Sequence, residues 1–373
     1  MDVNGLTVID LVDGAADYIP IYDTNVGILR KVLAEDLGGG SSGGGVFTEI
    51  DSRNIVGGAL AGSSITTGDD NLIMGEWAGK SLSSSSKNIV IGSYAVRDAT
   101  TNLTSAVAIG YFAGFSITGA DYSVVIGDNA GAYAGSALGL IAIGRSAGRM
   151  AKGNSNVCIG YYSMDNPYST AANNLFFGAY SGRYCRGNSN VGLGQYAMAM
   201  NTGKTADSNN NTAIGSNTLG ALNGGDDNVA IGYQTAQNIT TGIYNTLVGS
   251  NAGWNATTCR GIVGIGKSAF GMGTTTGNYN IGIGEEAARY ISSGADNICI
   301  GAMAGDAITT GSNNIVIGKS VDTTGATENN EIVIGNASND TFTLAGNIGW
   351  SGTFTNGDGA TVTVAMGIIT GVA

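Results

Sequence analysis

The chain has 373 residues, of which 63 are Gly, 2 are Pro and none is His, with 16 Lys and Arg against 28 Asp and Glu. So little Pro excludes a collagen-like helix, and a hydrophobic content of 43% excludes a mostly disordered chain. A net charge of −12 disfavours nucleic acid as a partner, and the lack of His removes Ser-His-Asp and Cys-His nucleophile systems.

Residues 1–37 read as a small β-rich module. Leu6, Val8, Ile9, Leu11 and Val12 precede Tyr18-Ile19-Pro20-Ile21-Tyr22-Asp23, and Ile28-Leu29-Arg30-Lys31-Val32-Leu33 follows a turn near Asp23-Thr24-Asn25. The start lacks the basic and apolar regions of a signal peptide, so synthesis in a cytosol without general export is expected. No apolar stretch approaches the 18 or more residues of a membrane span, so no membrane insertion is expected. Residues 38–45, Gly-Gly-Gly-Ser-Ser-Gly-Gly-Gly, form a flexible linker.

Residues 46–340 are repetitive. From Asn71-Leu72-Ile73-Met74-Gly75 to Glu331-Ile332-Val333-Ile334-Gly335, three apolar residues run into a glycine sixteen times. The glycines span 260 residues in fifteen steps, a mean period near 17. Asn54-Ile55-Val56-Gly57-Gly58 adds an atypical first coil, as a cap requires. This predicts an all-β parallel β-roll, or β-solenoid, of about 17 coils, none of which could fold alone.

Within a coil, the residues one and three before the glycine share one strand face, because side chains alternate with period 2. The residue between them is also apolar or small, as at Val90, Ala108, Cys158 and Gly192. A strand apolar on both faces is covered on both. A 17-residue coil has one interior, so a partner is needed. This reading gives the interior to the two outer rows and hides the middle row against sister copies. The glycine ends the strand at a corner, and the next residue, such as Glu76, Tyr111 or Arg145, faces solvent. A small residue three after the glycine, such as Ala78 or Ala113, lets a second short strand lie close. Asn four before the glycine recurs in eleven coils, either as a hydrogen-bonded ladder or as a local turn cap.

Residues 341–373 leave this register. Gly352-Thr353-Phe354-Thr355 and Thr361-Val362-Thr363-Val364-Ala365 flank a hairpin signal at Asn356-Gly357-Asp358-Gly359-Ala360, and Ile368-Ile369-Thr370 follows. They read as a C-terminal β-rich tip or trimerisation module.

The recurring Asn-x-x-Ile-Gly-x-x-Ala-Gly element resembles the head repeats of YadA-like trimeric adhesins, and more closely the longer-period version in bacteriophage tail fibres. Asn297-Ile298-Cys299-Ile300-Gly301-Ala302-Met303-Ala304-Gly305 is one instance. The resemblance covers residues 54–340. It implies a left-handed parallel roll with three chains around one axis. Shorter likenesses to phage virion modules at both ends imply particle attachment through residues 1–37, to a tail or baseplate protein. The signal peptide, stalk and membrane anchor of the cell-bound adhesins have no counterpart here, which argues against that role.

Little chemistry is expected. The carboxylate pairs Asp69-Asp70, Asp226-Asp227 and Glu285-Glu286 fit turns or surfaces better than a glycosidase or Ca²⁺ site. Gly192-Leu193-Gly194 and Gly282-Ile283-Gly284 are repeat corners rather than phosphate loops. Cys158, Cys185, Cys259 and Cys299 match no zinc spacing and read as buried apolar residues. No catalytic, metal or cofactor residue is expected. Aromatic residues cluster after the corners, including Trp77, Tyr94, Tyr111, Phe112, Tyr161, Tyr162, Tyr180, Tyr196 and Tyr233. They either fill clefts between coils or chains, the favoured reading, or stack on envelope sugars. Trp77, Tyr111, Tyr161, Trp350 and Phe354 are the candidate receptor contacts. These readings converge on a homotrimeric, non-enzymatic fibre of a phage tail or a contractile injection particle, made in a bacterial cytoplasm, that contacts a host glycan or protein. The alternatives are a tailspike-like polysaccharide depolymerase and a secreted trimeric adhesin.

Overall fold

A computed structural model describes residues 53–335, apart from 100–102, 167–169 and 201–205, and the backbone of eight strands outside that range. The linker at 38–45 and Trp350 lie outside the described residues, as does the side chain of Phe354. The chain divides into two compact units, residues 1–244 and 245–373.

The first unit holds eleven parallel strands, from Asn54–Gly57 through Leu72–Met74 to Val229–Ile231. Leu72 to Val229 is 157 residues in nine steps, a period of about 17. The second unit holds six strands, from Thr246–Val248 to Ile332–Ile334, with the same period. Both units are parallel β-solenoids paired in phase, so that Ile89 faces Leu72 in one neighbouring coil and Val107 in the other. At the start of the first stack, Thr48–Ile50 runs antiparallel to Asn54–Gly57, which occupies an edge that would otherwise invite further pairing. The strands Asp2–Val3, Leu6–Val8, Tyr18–Asp23 and Ile28–Leu33 form an antiparallel sheet. Gly352–Thr355, Thr361–Ala365 and Ile368–Val372 form another.

The structure reverses the expected faces of the solenoid strands. The middle row lies inside its own coil: Ile73, Val90, Ala108, Cys158, Phe176 and Val316 have no exposed surface. The flanking Ile, Val and Leu rows point outward and stay partly exposed, with Phe177 at 55%. The physical reason is volume, because a coil this short encloses little space. Its interior therefore takes the smaller row, together with the small residues after the corner, such as Ala78 and Ala113. The row also compensates size from coil to coil. The Phe176 ring occupies the place a Cβ on Gly192 would take, 2.6 Å from that position. Phe270, from the turn rather than from this row, fills the space beside the row glycines Gly264 and Gly282, at 3.0 and 2.8 Å. Such complementarity marks a packed interior.

A second difference is that no second strand follows the corner in the described coils. The chain turns instead through left-handed residues, including Trp77, Tyr94 and Tyr162 two positions after the glycine. Inter-coil bonds continue through this turn, as from Gly79 N to Ala95 O at 2.9 Å. The small row therefore serves turn packing rather than strand pairing.

The corner glycines are required by their neighbours. Gly110 has φ +135°, and a Cβ there would lie 2.6 Å from the Gly127 carbonyl oxygen of the next coil. No ordinary side chain accepts both the conformation and the backbone contact.

Asn four before the corner forms the expected ladder between coils. Asn211 Oδ1 accepts the Asn228 backbone N–H and its Nδ2–H, both at 3.0 Å, while Asn211 Nδ2 donates to Gly225 O at 2.9 Å. The same ladder runs through Asn54, Asn71 and Asn88, and in the second unit through Asn280, Asn297 and Asn314. Where Asn is missing, Ser123 Oγ accepts from Leu140 N at 3.0 Å, and the apolar Leu140 is buried without a polar group to satisfy.

Candidate binding surface

The outer face of the turns carries a second, partly exposed ladder that the sequence reading missed. Six residues before the corner, a side-chain oxygen accepts the backbone N–H of the preceding coil. Examples are Asp121 from Thr104 (2.7 Å), Asn188 from Ala172 (2.8 Å), Asp226 from Asn209 (2.6 Å) and Asn278 from Arg260 (2.8 Å). Asp, Asn and Ser share the task, so no single letter repeats to betray it.

This ladder accounts for part of the carboxylate chemistry. Asp226 is a ladder member, and Asp227 accepts from Asn210 Nδ2 at 3.1 Å. Asp69 and Asp70 both face Arg53, at 3.2 and 3.0 Å. A hydrogen bond from Ser86 and the Arg53 charge hold Asp69 below the usual carboxylate range. Glu285 pairs with Lys267 at 3.1 Å and Glu286 with Arg289 at 2.8 Å. All three pairs are thus engaged in contacts within or between coils. Among the described residues there is no cluster of three or more His, Cys, Asp or Glu able to hold a metal, and no helix long and apolar enough to cross a membrane. The four cysteines are buried and unbridged. Burial pushes the thiols of Cys185, Cys259 and Cys299 up to about 12 and that of Cys158 further, away from thiolate chemistry.

The aromatic residues after the corners stack between coils. Tyr162, Tyr180 and Tyr196 form a near-parallel column, with centroids 5.8 and 4.9 Å apart and interplanar angles of 9° and 2°. Tyr94 stacks on Phe112 at 5.1 Å, and Phe112 meets Phe115 at 4.6 Å. Two candidate residues lie across these columns: Tyr111 is edge-on to Phe112 and 53% exposed, and Tyr161 is edge-on to Tyr162 and 40% exposed. Trp77 stands apart, donating from Nε1 to Glu76 Oε1 at 3.2 Å beneath the Lys80 ammonium, 4.3 Å from the ring. The structure thus gathers Tyr111 and Tyr161 into aromatic clusters but leaves Trp77 outside both.

Arginines recur five residues after the corner, and two of them, Arg97 and Arg183, lie over rings of the columns. Arg97 lies over Phe115 at 4.8 Å and pairs with Asp98 at 2.8 Å. Arg149 pairs with Asp165 at 3.0 Å, and burial raises the Asp165 pKa despite this partner. Arg183 lies over Tyr184, Tyr180 and Tyr162 at 4.7, 5.2 and 5.6 Å.

No protein-family model matches the chain, and neither does any curated protein or solved structure.

Proposed function

We propose that the protein is a structural and receptor-binding fibre of a phage tail or phage-like contractile injection particle, assembled as a homotrimer and attached to the particle through its N-terminal region. The observation that carries this reading is the outward apolar stripe. Each solenoid strand has two outward positions, and almost all hold Ile, Val, Leu, Met or Phe, with Gly57, Thr212 and Thr246 as exceptions. In the first unit alone, eleven strands at ~4.8 Å make a stripe of about 48 Å. With side chains about 10 Å across, that is roughly 500 Å², comparable to the largest and often functional patch on a monomer and over half of the ~800 Å² on one side of a standard interface.

A stripe with the chain's own period is best matched by the same stripe on a second copy, and closed symmetry then favours identical partners. The in-phase coil ladder and glycine corners supply the stiffness a fibre needs. The motif likeness to phage fibres supports three copies and a host-surface role, where many weak contacts act together.

Native mass spectrometry of the purified chain tests the assembly: a mass three times that of the chain is expected, and a well-folded monomer overturns it. Antibody labelling of particles from a producing culture tests the location. Label on tails or baseplates supports the reading, and label confined to free protein or cell envelopes refutes it.

A further inference from the structure

We propose that Arg183 and the tyrosines against it form a subsite for an anionic sugar residue of a surface polysaccharide. This deepens, and rests on, the host-recognition reading above.

The first observation is where the positive charge falls. Residues 71–200 hold eight Lys and Arg against five Asp and Glu, a surplus of three in a chain whose net charge is −12. The aromatic columns lie in this same stretch.

The second is a comparison within one row of the repeat. Arg97, Arg149, Arg183 and Arg289 all stand five residues after a corner glycine. Arg97, Arg149 and Arg289 each have a carboxylate within 3.0 Å. Arg183 makes no salt bridge among the described residues, its charge reaching Asp165 only from beyond salt-bridge distance, and its Nε, like that of Arg289, is buried without an acceptor. Three tyrosine rings hold its guanidinium instead. A guanidinium resting on rings keeps its N–H donors at the edge of its plane, where a carboxylate engages two of them at once.

The third is where the tyrosine column ends. The residue after Tyr196 in this row is Asn217, so no ring follows. Tyr196 is 39% exposed, as Tyr161 nearly is, and both belong to the cluster that holds Arg183. An aromatic surface beside a cation suits a saccharide, which offers C–H groups to rings and a carboxylate to arginine.

The geometry favours a sparsely charged glycan over single-stranded nucleic acid. Bases need free ring faces along the strand, whereas Tyr162, Tyr180 and Tyr196 spend theirs on one another. A phosphate on every unit would also meet repulsion from the acidic remainder of the chain.

Full-length protein would be titrated by calorimetry with a hexuronate oligomer, a sialylated oligosaccharide, their carboxyl-reduced counterparts and single-stranded DNA of similar length. At least one carboxylated probe is expected to bind saturably, about tenfold or more tighter than its reduced form. Arg183→Ala should lose about tenfold or more while keeping the wild-type circular dichroism, and Arg183→Lys should recover only part, since an ammonium lacks the planar fork. If Arg183→Ala does not fold, Arg183→Lys and Tyr196→Ala carry the test, and unchanged affinity in both overturns the subsite. It is equally overturned if no carboxylated probe saturates, if reduced probes bind as well, or if DNA binds as tightly. A trimer that binds no probe defeats this subsite alone, whereas a monomer that binds defeats the fibre reading alone.

Discussion

In Ile89-Val90-Ile91 the central side chain is wholly buried, whereas Ile89 keeps 39% of its surface exposed, and the same contrast recurs from strand to strand. The inner row runs from glycine to phenylalanine, each deviation compensated by a neighbour, as Phe176 is by Gly192. The outer rows are nearly uniform, large and β-branched. An interior can be fitted coil by coil because each coil meets only its neighbours. A uniform outer surface is instead suited to something that repeats at the same interval, as a second copy would under the proposed fibre.

The sharpest way to break this contrast is at the corner that closes the interior. Gly194→Ala sets a Cβ 2.6 Å from the Gly215 carbonyl oxygen at φ +135°. Backbone contacts above and below cannot yield, so a loss above ~3 kcal/mol is expected in denaturant titration. Gly220→Ala is the control: its added Cβ meets only Gln237 O at 3.9 Å, and stability should hold within about 1 kcal/mol.

Next in size is the inner ladder. Asn211→Ala removes the acceptor of Asn228 N–H and the donor to Gly225 O in a fully buried site. Two orphaned buried groups should cost about 2–4 kcal/mol, read as a lower unfolding midpoint. The outer ladder offers the comparison. Asn188→Ala leaves Ala172 N–H at an exposed position, where water replaces the bond, and a loss below about 1 kcal/mol is expected.

These elements also differ in how readily the sequence revealed them. The period, the corner and the Asn row were legible because one residue type satisfies each demand: glycine for the corner contact, asparagine for an acceptor and a donor in one side chain. The orientation of the strands was not, because both faces are apolar and alternation cannot say which is inside. The usable signal was size compensation, Phe176 against Gly192 in the next coil, and it appears only when coils are aligned and their volumes compared. The outer ladder was hidden because any short side-chain oxygen serves. At the candidate site, the aromatic cluster after the corners was legible, but not the part proposed for Arg183, because what sets it apart is the lack of the close salt bridge that its row-mates make.

A smaller effect separates the two faces with a single chemical change. Val90→Thr places a hydroxyl in the interior, where its row neighbours are Ile73 and Ala108; about 1–2 kcal/mol should be lost. Ile89→Thr changes the adjacent, outward residue, where Thr212 and Thr246 already occupy equivalent positions. Unfolding of the dissociated chain should move by less than about 0.5 kcal/mol, while association between copies weakens. Equal losses at the two positions in the dissociated chain would remove the distinction between the faces.

The smallest predicted effect concerns a carboxylate drawn partly inward. Partial burial, with Asp306 close by, raises the Asp322 pKa from its ordinary 3.8 to about 6, although Ala307 N and Thr323 N donate to it at 2.8 and 3.1 Å. The folded chain therefore binds this proton more tightly than the unfolded chain does. The resulting stabilisation is complete below about pH 4 and is lost as pH rises through about 6. Solvent screening of a half-exposed group keeps it below about 1 kcal/mol. The unfolding midpoint of the wild type should thus fall slightly between pH 5 and pH 7 relative to Asp322→Asn, whose own stability starts lower because the amide replaces one acceptor oxygen. The slope difference between the two, rather than either absolute midpoint, measures the burial of this carboxylate, and parallel slopes would place it with the outward-facing charges.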